Sequence, residues 1–294
     1  MNKDCTTTMR GIAILIIIIG HVGVSGFDIR FFNPFGGIGV AMFLFLSGYG
    51  LTESYKKNGL DGFWRKKILR ILIPYLIWVP IYHIVMRMSP IGLPTQIQTI
   101  PRYWFIEYLA IAYIVFYFVF KYIPKYATLT MFSLGIITFF ATDNLRAEQS
   151  FSFLCGVLLS LNKTYFEKLS HKKILFYASL LFVIGVAALL VKQSPIVRAY
   201  DLESYPFRVL NILIKLPIGI SLILLTHLLI PKGNRQLKVI GNLSYELYLG
   251  HVPFFMAIHG SIIRFFAFIL QSYVLAIINH SLTQVFTKRV SNHG

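Results

Sequence analysis

Long apolar blocks separated by short polar stretches run along the 294 residues of the chain. A helix of about 20 apolar residues is long enough to cross the hydrocarbon core of a bilayer. The pattern predicts an all-α, polytopic transmembrane bundle of about ten helices, at residues 8–26, 36–53, 71–88, 104–120, 128–142, 150–162, 174–191, 207–230, 241–258 and 265–286. The fifth and sixth blocks are short for a bilayer, so nine spans or a re-entrant pair remain open.

The composition supports a membrane protein. Hydrophobic residues make up 56% of the chain and charged residues only 13%, with a mean hydropathy of +0.68. Soluble domains carry about 25% charged residues. No Ser/Gly linker, repeat or low-complexity run divides the chain, so residues 1–294 are predicted to form a single transmembrane domain.

The distribution of lysine and arginine predicts an orientation. With the N-terminus in the cytoplasm, 19 of the 28 basic residues lie in the cytoplasmic segments, which satisfies the positive-inside rule. Both termini of this multi-pass chain are then cytoplasmic, and the expected location is the cell (inner or plasma) membrane. The net charge of +17 follows from topology and attraction to anionic lipid, so it indicates no nucleic-acid partner.

Arg10 and His21 lie eleven residues apart in the first apolar block. Eleven steps of a helix bring two side chains to one face within about 20° and separate them by roughly 16 Å along the axis. The arginine is then expected at the membrane boundary and the histidine deep in the hydrocarbon, where an ionisable group is a functional-site hypothesis. The competing interpretations are an interfacial anchor for Arg10 and a hydrogen-bonded core histidine for His21.

Two further segments carry candidate binding residues. Four basic residues precede the third block and match the phosphates of a nucleotide-type ligand, although topology alone also explains such a cluster: Arg65, Lys66, Lys67 and Arg70. In the second block, small residues around Ser47 and Tyr49 favour close helix packing, and they also leave room for an extended ligand arm.

Glu107 enters the membrane from the opposite side and, by depth, is expected in one polar layer with His21 and Lys215. It either orients His21, as a carboxylate does in a catalytic triad, or neutralises Lys215. His251 is expected to make packing hydrogen bonds. No histidine pair has a metal-binding spacing such as H-E-x-x-H, so no metal site is expected.

The Arg10-x10-His21 pair resembles the signature of the acyltransferase-3 family of integral membrane acyltransferases. Four further segments are similar to family blocks and occur in the family's order: 39–49, 63–75 as a basic loop entering a proline-bearing span, 103–109 and 243–251. The chain ends after its last apolar block, so it resembles the compact members that lack an SGNH-type hydrolase domain.

The resemblance implies transfer of an acyl group, most often acetyl from acetyl-CoA, to a hydroxyl of a cell-surface glycan or its lipid-linked precursor. Acetyl-CoA is then a co-substrate, and no permanently bound cofactor is expected. His21, Arg10 and Glu107 are the expected catalytic residues, and the four basic residues with Ser47 and Tyr49 the expected acyl-CoA site. His21 either activates the acceptor hydroxyl or carries the acyl group itself.

Two other functions remain open from the sequence. Ionisable residues inside a membrane also line transport paths, so an exporter of a glycolipid or small amphiphile is the main alternative. A catalytically inactive membrane partner in a glycan-assembly complex is the other.

Overall fold

The computed structural model describes residues 1–22, 32–88, 103–201, 203–251 and 261–292, and these parts of the chain contain helices and no strand. The helices are α1 Lys3–Val22, α2 Asn33–Asn58, α3 Phe63–Lys67, α4 Ile73–Met88, α5 Trp104–Tyr122, α6 Ala127–Ala141, α7 Asn144–Ala147, α8 Ser152–Leu161, α9 Lys163–Glu167, α10 His171–Gln193, α11 Pro195–Arg198, α12 Tyr205–Leu229, α13 Arg235–Asn242, α14 Ser244–His251 and α15 Ile262–Asn292.

Seven of the described helical segments are long and apolar enough to cross a membrane: α1, α2, α3 with α4, α5, α10, α12 and α15. The predicted all-α membrane bundle is therefore confirmed, and ten helices is an approximate count. The other three predicted blocks contain shorter helices, namely α6, α8 and the α13–α14 pair. Residues 23–26 of the first block and 252–258 of the ninth lie outside the described residues.

The helices divide into an inner and an outer group. The middle of α2, between Ile38 and Thr52, is mostly buried, whereas α10 and α15 expose large apolar side chains along most of their length. Lipid tails are as apolar as leucine, so this exposure is the normal state of helices at the rim of a membrane bundle. The candidate residues of α1 and α2 consequently lie at the centre of the protein.

Glycines bring the inner helices into close contact. A Cβ atom on Gly48 or Gly156 would collide with backbone atoms across the α2–α8 contact, at Phe153 and Phe45 respectively. Gly11 and Gly241 have the same relation across the contact between α1 and α13. The packing role that the small residues of the second block suggested is therefore seen at Gly48.

The first helix begins earlier than the sequence suggested. Asn2 accepts a hydrogen bond from the backbone N–H of Cys5 at 2.8 Å, in the manner of a helix N-cap, and α1 starts at Lys3 rather than near residue 8. Arg10 therefore lies about two turns inside the helix, and its place at the membrane boundary stays a prediction.

The basic segment before the third block is helical, so the prediction of a loop there was wrong. After α3, residues Ile68–Leu72 form a π-helical turn that leads directly into α4. Pro74 lacks an N–H and its ring crowds the carbonyl of Arg70, four residues earlier. A π turn widens the helix at this point, so the chain continues through the proline without a break.

Candidate functional site

A basic cavity of about 480 Å³ opens at the end of the bundle where α1 begins. Its wall carries a cluster of basic residues on α1, α3 and the π turn: Lys3, Arg10, Lys66, Lys67 and Arg70. Polar and aromatic residues from α2, α5 and α14 complete it, among them Ser47, Tyr49, Glu53, Phe105, Tyr113, Tyr245 and Tyr248. We call this space the basic cavity.

The cavity brings together most of the residues expected to bind acyl-CoA. It is lined by five of them, namely Ser47, Tyr49, Lys66, Lys67 and Arg70, and also by Arg10. Arg65 is not among the described residues of the lining and is exposed on α3. Two helical steps turn a side chain by about 200°, so Arg65 points away from the side on which Lys67 lies.

The carboxylate of Glu53 is held at the cavity wall by groups of its own. It accepts hydrogen bonds from Ser160 Oγ and Lys163 Nζ, both at 2.7 Å, and from Lys56 Nζ at 3.4 Å. The hydrogen bond to Glu53 raises the pKa of the Lys163 ammonium. Because these lysines balance Glu53, the remaining basic groups leave the cavity net positive, which suits a ligand with several phosphates.

Two contacts fix side chains in the cavity wall. The N-terminal ammonium of Met1 donates to the hydroxyl of Tyr49 at 3.3 Å. Lys67 Nζ lies 4.5 Å from the ring centroid of Tyr113, within the range of a cation–π contact. The chain terminus and α3 are thereby tied to α2 and α5.

An apolar groove of about 390 Å³ adjoins the basic cavity, and the two share Lys67, Ile71 and Tyr113. The groove runs between the π turn with α4 on one side and α5 on the other, and Tyr103 and Glu107 lie at its other end. Glu107 therefore lines this groove rather than the basic cavity.

The helix α14 is anchored to α4 and α5 by one hydroxyl. Tyr103 accepts a hydrogen bond from Trp78 Nε1 at 2.7 Å and donates to the carbonyl of Leu249 at 3.0 Å. All three residues are buried, so these bonds are formed away from water. The position of α14 against the cavity is fixed by this arrangement.

Two rings, those of Tyr248 and His251, connect the basic cavity to the ring of His21. Tyr248 lines the cavity, and its ring centroid lies 5.3 Å from that of His251 in an edge-to-face contact. The His251 ring lies 5.0 Å from the His21 ring, with 40° between their planes. His21 is half-buried and does not line the basic cavity or the apolar groove. One fully buried residue, His251, lies between it and Tyr248 in the cavity wall.

The alternative in which Glu107 neutralises Lys215 was wrong. Lys215 forms an ion pair with Glu148, and both side chains are almost entirely buried. Gly37 leaves the space through which the lysine side chain passes, since a Cβ there would meet it. Glu148 lies two residues before the predicted block 150–162, where the apolar pattern gives no signal for a buried carboxylate.

Glu107 contacts Arg146, with 3.0 Å between its Oε2 and the arginine Nη2. The proposed pairing of Glu107 with Lys215 is thus replaced by two separate ion pairs. The role of Glu107 toward His21 stays a prediction.

His251 of α14 is the residue whose neighbour the sequence did not indicate. Packing hydrogen bonds were expected for it, and its Nδ1 lies within hydrogen-bonding distance of the carbonyl oxygens of Leu247 and Tyr248. The structure also places its ring directly beside that of His21. The only sequence signal was its position at the end of the segment 243–251.

Comparison with known proteins identifies the family of the chain. A family model described as an acyltransferase domain, that of the acyltransferase-3 family, matches residues 7–283. Neither the curated proteins nor the solved structures compared with the chain give a match.

Proposed function

This chain belongs to the acyltransferase-3 family and is a multi-pass membrane acyltransferase, and we propose that it moves an acyl group, normally acetyl, from acyl-CoA to a hydroxyl of a cell-surface glycan or its lipid-linked precursor. The family membership does not favour the exporter that the sequence left open. The donor, the acyl group and the acceptor class are the parts of the proposal that go beyond the family.

The basic cavity and its connection to His21 carry the proposal. Coenzyme A has three phosphate groups and a long, uncharged arm that ends in the thioester. The phosphates suit the arginine and lysine cluster of Arg10, Lys66 and Arg70, since guanidinium groups bind phosphate oxygens in a bidentate manner. The arm then extends past Ser47 toward Tyr248, beyond which lie His251 and His21.

His21 is the proposed reactive group, and two routes remain open. In the direct route, an imidazole nitrogen of His21 takes the proton of the acceptor hydroxyl while the hydroxyl oxygen attacks the thioester carbonyl. The bond between carbonyl carbon and sulfur then breaks, and the thiolate of coenzyme A receives the proton. In the covalent route, the His21 nitrogen attacks the thioester carbonyl and takes the acyl group, and the carbon–sulfur bond breaks to release the thiolate of coenzyme A. The hydroxyl oxygen then attacks the acyl-imidazole, the carbon–nitrogen bond breaks, and the hydroxyl proton goes to the thiolate.

The proposed orientation follows from where acyl-CoA occurs. Coenzyme A thioesters are cytoplasmic, so the basic cavity is proposed to face the cytoplasm, with both termini on that side of the plasma membrane. The basic residues at this end agree with the positive-inside rule. The acceptor would then approach His21 from the other side of the bundle, where Glu107 is proposed to orient the reacting groups.

An acyl-transfer assay with purified protein tests the function. Radiolabelled acetyl-CoA is supplied with lipid-linked and free glycans, and transfer of label to an acceptor is measured for the wild type, His21→Ala and His171→Ala. His171 is exposed at the start of α10 and serves as the matched control. We expect transfer by the wild type and the control and none by His21→Ala. Equal transfer by His21→Ala would overturn the assignment of His21.

A further inference from the structure

His251 has one nitrogen fixed by its own helix. Its Nδ1 lies 3.1 Å from the carbonyl oxygen of Leu247 and 2.8 Å from that of Tyr248. A carbonyl oxygen only accepts hydrogen bonds, so Nδ1 must carry the proton that it donates. In a neutral ring the other nitrogen, Nε2, then has no proton and is a hydrogen-bond acceptor.

That acceptor is buried and unsatisfied. His251 is fully buried, and within the described parts of the chain its Nε2 has no hydrogen-bond partner. Buried polar atoms are nearly always paired, because leaving one unpaired forfeits its hydration. An unpaired acceptor in the centre of the bundle therefore points to a donor that it meets during function.

The neighbouring imidazole can supply that donor. The rings of His21 and His251 are in contact at a centroid distance of 5.0 Å, and their 40° tilt is compatible with an N–H of one directed at the edge of the other. A neutral His21 has one N–H, and when His21 donates it to His251, the lone pair on the other ring nitrogen is the one that can act as a base or nucleophile.

We propose that His251 is a positioning residue whose Nε2 accepts a hydrogen bond from the His21 ring and so presents the opposite nitrogen of His21 to the substrate. The inference rests on the proposed function of His21 and adds the group that selects its tautomer. The role corresponds to that of the carboxylate in a catalytic triad, with a neutral acceptor in place of a charged one.

The arrangement also explains how the donor site and the reactive group are held together. Tyr248 lines the basic cavity and contacts His251, and the two residues lie on the same turn of α14. The bond from Tyr103 to Leu249 fixes that turn. One rigid helical turn therefore presents Tyr248 to the cavity and His251 to His21.

Two substitutions separate positioning from packing. His251→Asn retains an amide N–H near the position of Nδ1 and loses the acceptor at Nε2, whereas His251→Gln retains a carbonyl oxygen near Nε2. We expect His251→Asn to lower kcat about 100-fold with little change in the KM for acyl-CoA, and His251→Gln to recover a large part of kcat. Equal losses in both variants that follow their thermal stability would overturn the proposal.

A spectroscopic measurement tests the hydrogen bond without an activity assay. In protein labelled with ¹⁵N-histidine, an N–H···N bond produces a scalar coupling between nitrogens of the two rings, and His21→Ala and His251→Asn assign the signals. We expect this coupling in the wild type. A wild type without it, with Nε2 of His251 showing the shift of a free lone pair, would refute the inference even if acyl transfer by His21 is established. A wild type with the coupling and no transfer would instead count against the proposed function.

Discussion

The imidazole of His21 on α1 lies against the imidazole of His251 on α14, with ring centroids 5.0 Å apart. The two residues are 230 positions apart in the chain and meet because α1 packs against α13 and α14. The contact joins a reactive-group candidate to the wall of a basic cavity, through Tyr248.

The basic cluster should act on donor binding. Replacing Arg70 by Gln removes a charged group from the cavity wall, and a hydrogen bond to a charged group contributes about 1.5–3 kcal/mol. We expect the KM for acyl-CoA to rise about 10- to 100-fold with a smaller change in kcat. Steady-state kinetics at saturating acceptor measures both constants.

Arg65→Gln is the matched control for that substitution, because Arg65 belongs to the same cluster but is exposed outside the described cavity lining. The KM of Arg65→Gln for acyl-CoA should change less than about 2-fold, within the usual effect of a surface charge. Equal increases in the two variants would mean that only the overall charge of this end of the protein matters.

The ion pair of Lys215 and Glu148 should be essential for stability. Glu148 is 4% exposed, so Lys215→Met leaves a buried carboxylate unpaired, a change that costs about 3–5 kcal/mol. We expect a clearly lower midpoint of thermal unfolding in detergent. The double variant Lys215→Met/Glu148→Leu removes both charges and should recover much of the loss; a double variant as unstable as the single one would contradict the pairing.

Glu107 has two separable roles to test. If it orients the reacting groups, Glu107→Gln lowers kcat about 100-fold while the unfolding midpoint stays close to that of the wild type. Arg146→Gln removes the same ion pair from the other side and should keep most of the activity. Steady-state acyl-transfer kinetics of the two variants measure this difference in kcat. Matching losses in the two variants would assign Glu107 to the ion pair alone.

The α2–α8 contact should not tolerate a side chain. In Gly156→Ala the new Cβ would collide with the carbonyl of Phe45, and overpacking of this kind costs about 1–3 kcal/mol. Gly50→Ala on α2 places its Cβ in open space and should be neutral or stabilising by about 0.5–1 kcal/mol. Thermal unfolding of both variants measures the difference, and equal stability would refute the close contact.

The sequence predicted the features that depend on neighbouring residues along the chain. Apolar length alone predicted the helices, and the spacing of Arg10 and His21 placed them correctly on one helix. The basic cluster was expected in a loop because the segment 63–75 resembles the family's basic loop. The chain instead forms α3 and a π turn that accommodates Pro74.

The sequence was least informative about partners across helices. Depth along each helix suggested that Glu107, Lys215 and His21 share a layer, but depth does not give rotation around the axis or the neighbour of each helix. The structure pairs Lys215 with Glu148 and Glu107 with Arg146, and it places His251 beside His21. Such contacts depend on the packing of the whole bundle, which no single segment encodes. The single-domain assignment of residues 1–294 stays a prediction.

Donor binding by the basic cavity and acyl transfer by His21 are separable steps of the proposed reaction. Acyl-CoA binding and label transfer can both be measured on one preparation of purified His21→Ala. We expect this variant to bind acyl-CoA with an affinity within about 3-fold of the wild type, a difference below 1 kcal/mol, and to transfer no label to the acceptor. Transfer at the wild-type rate, or loss of binding together with transfer in a folded variant, would contradict the account.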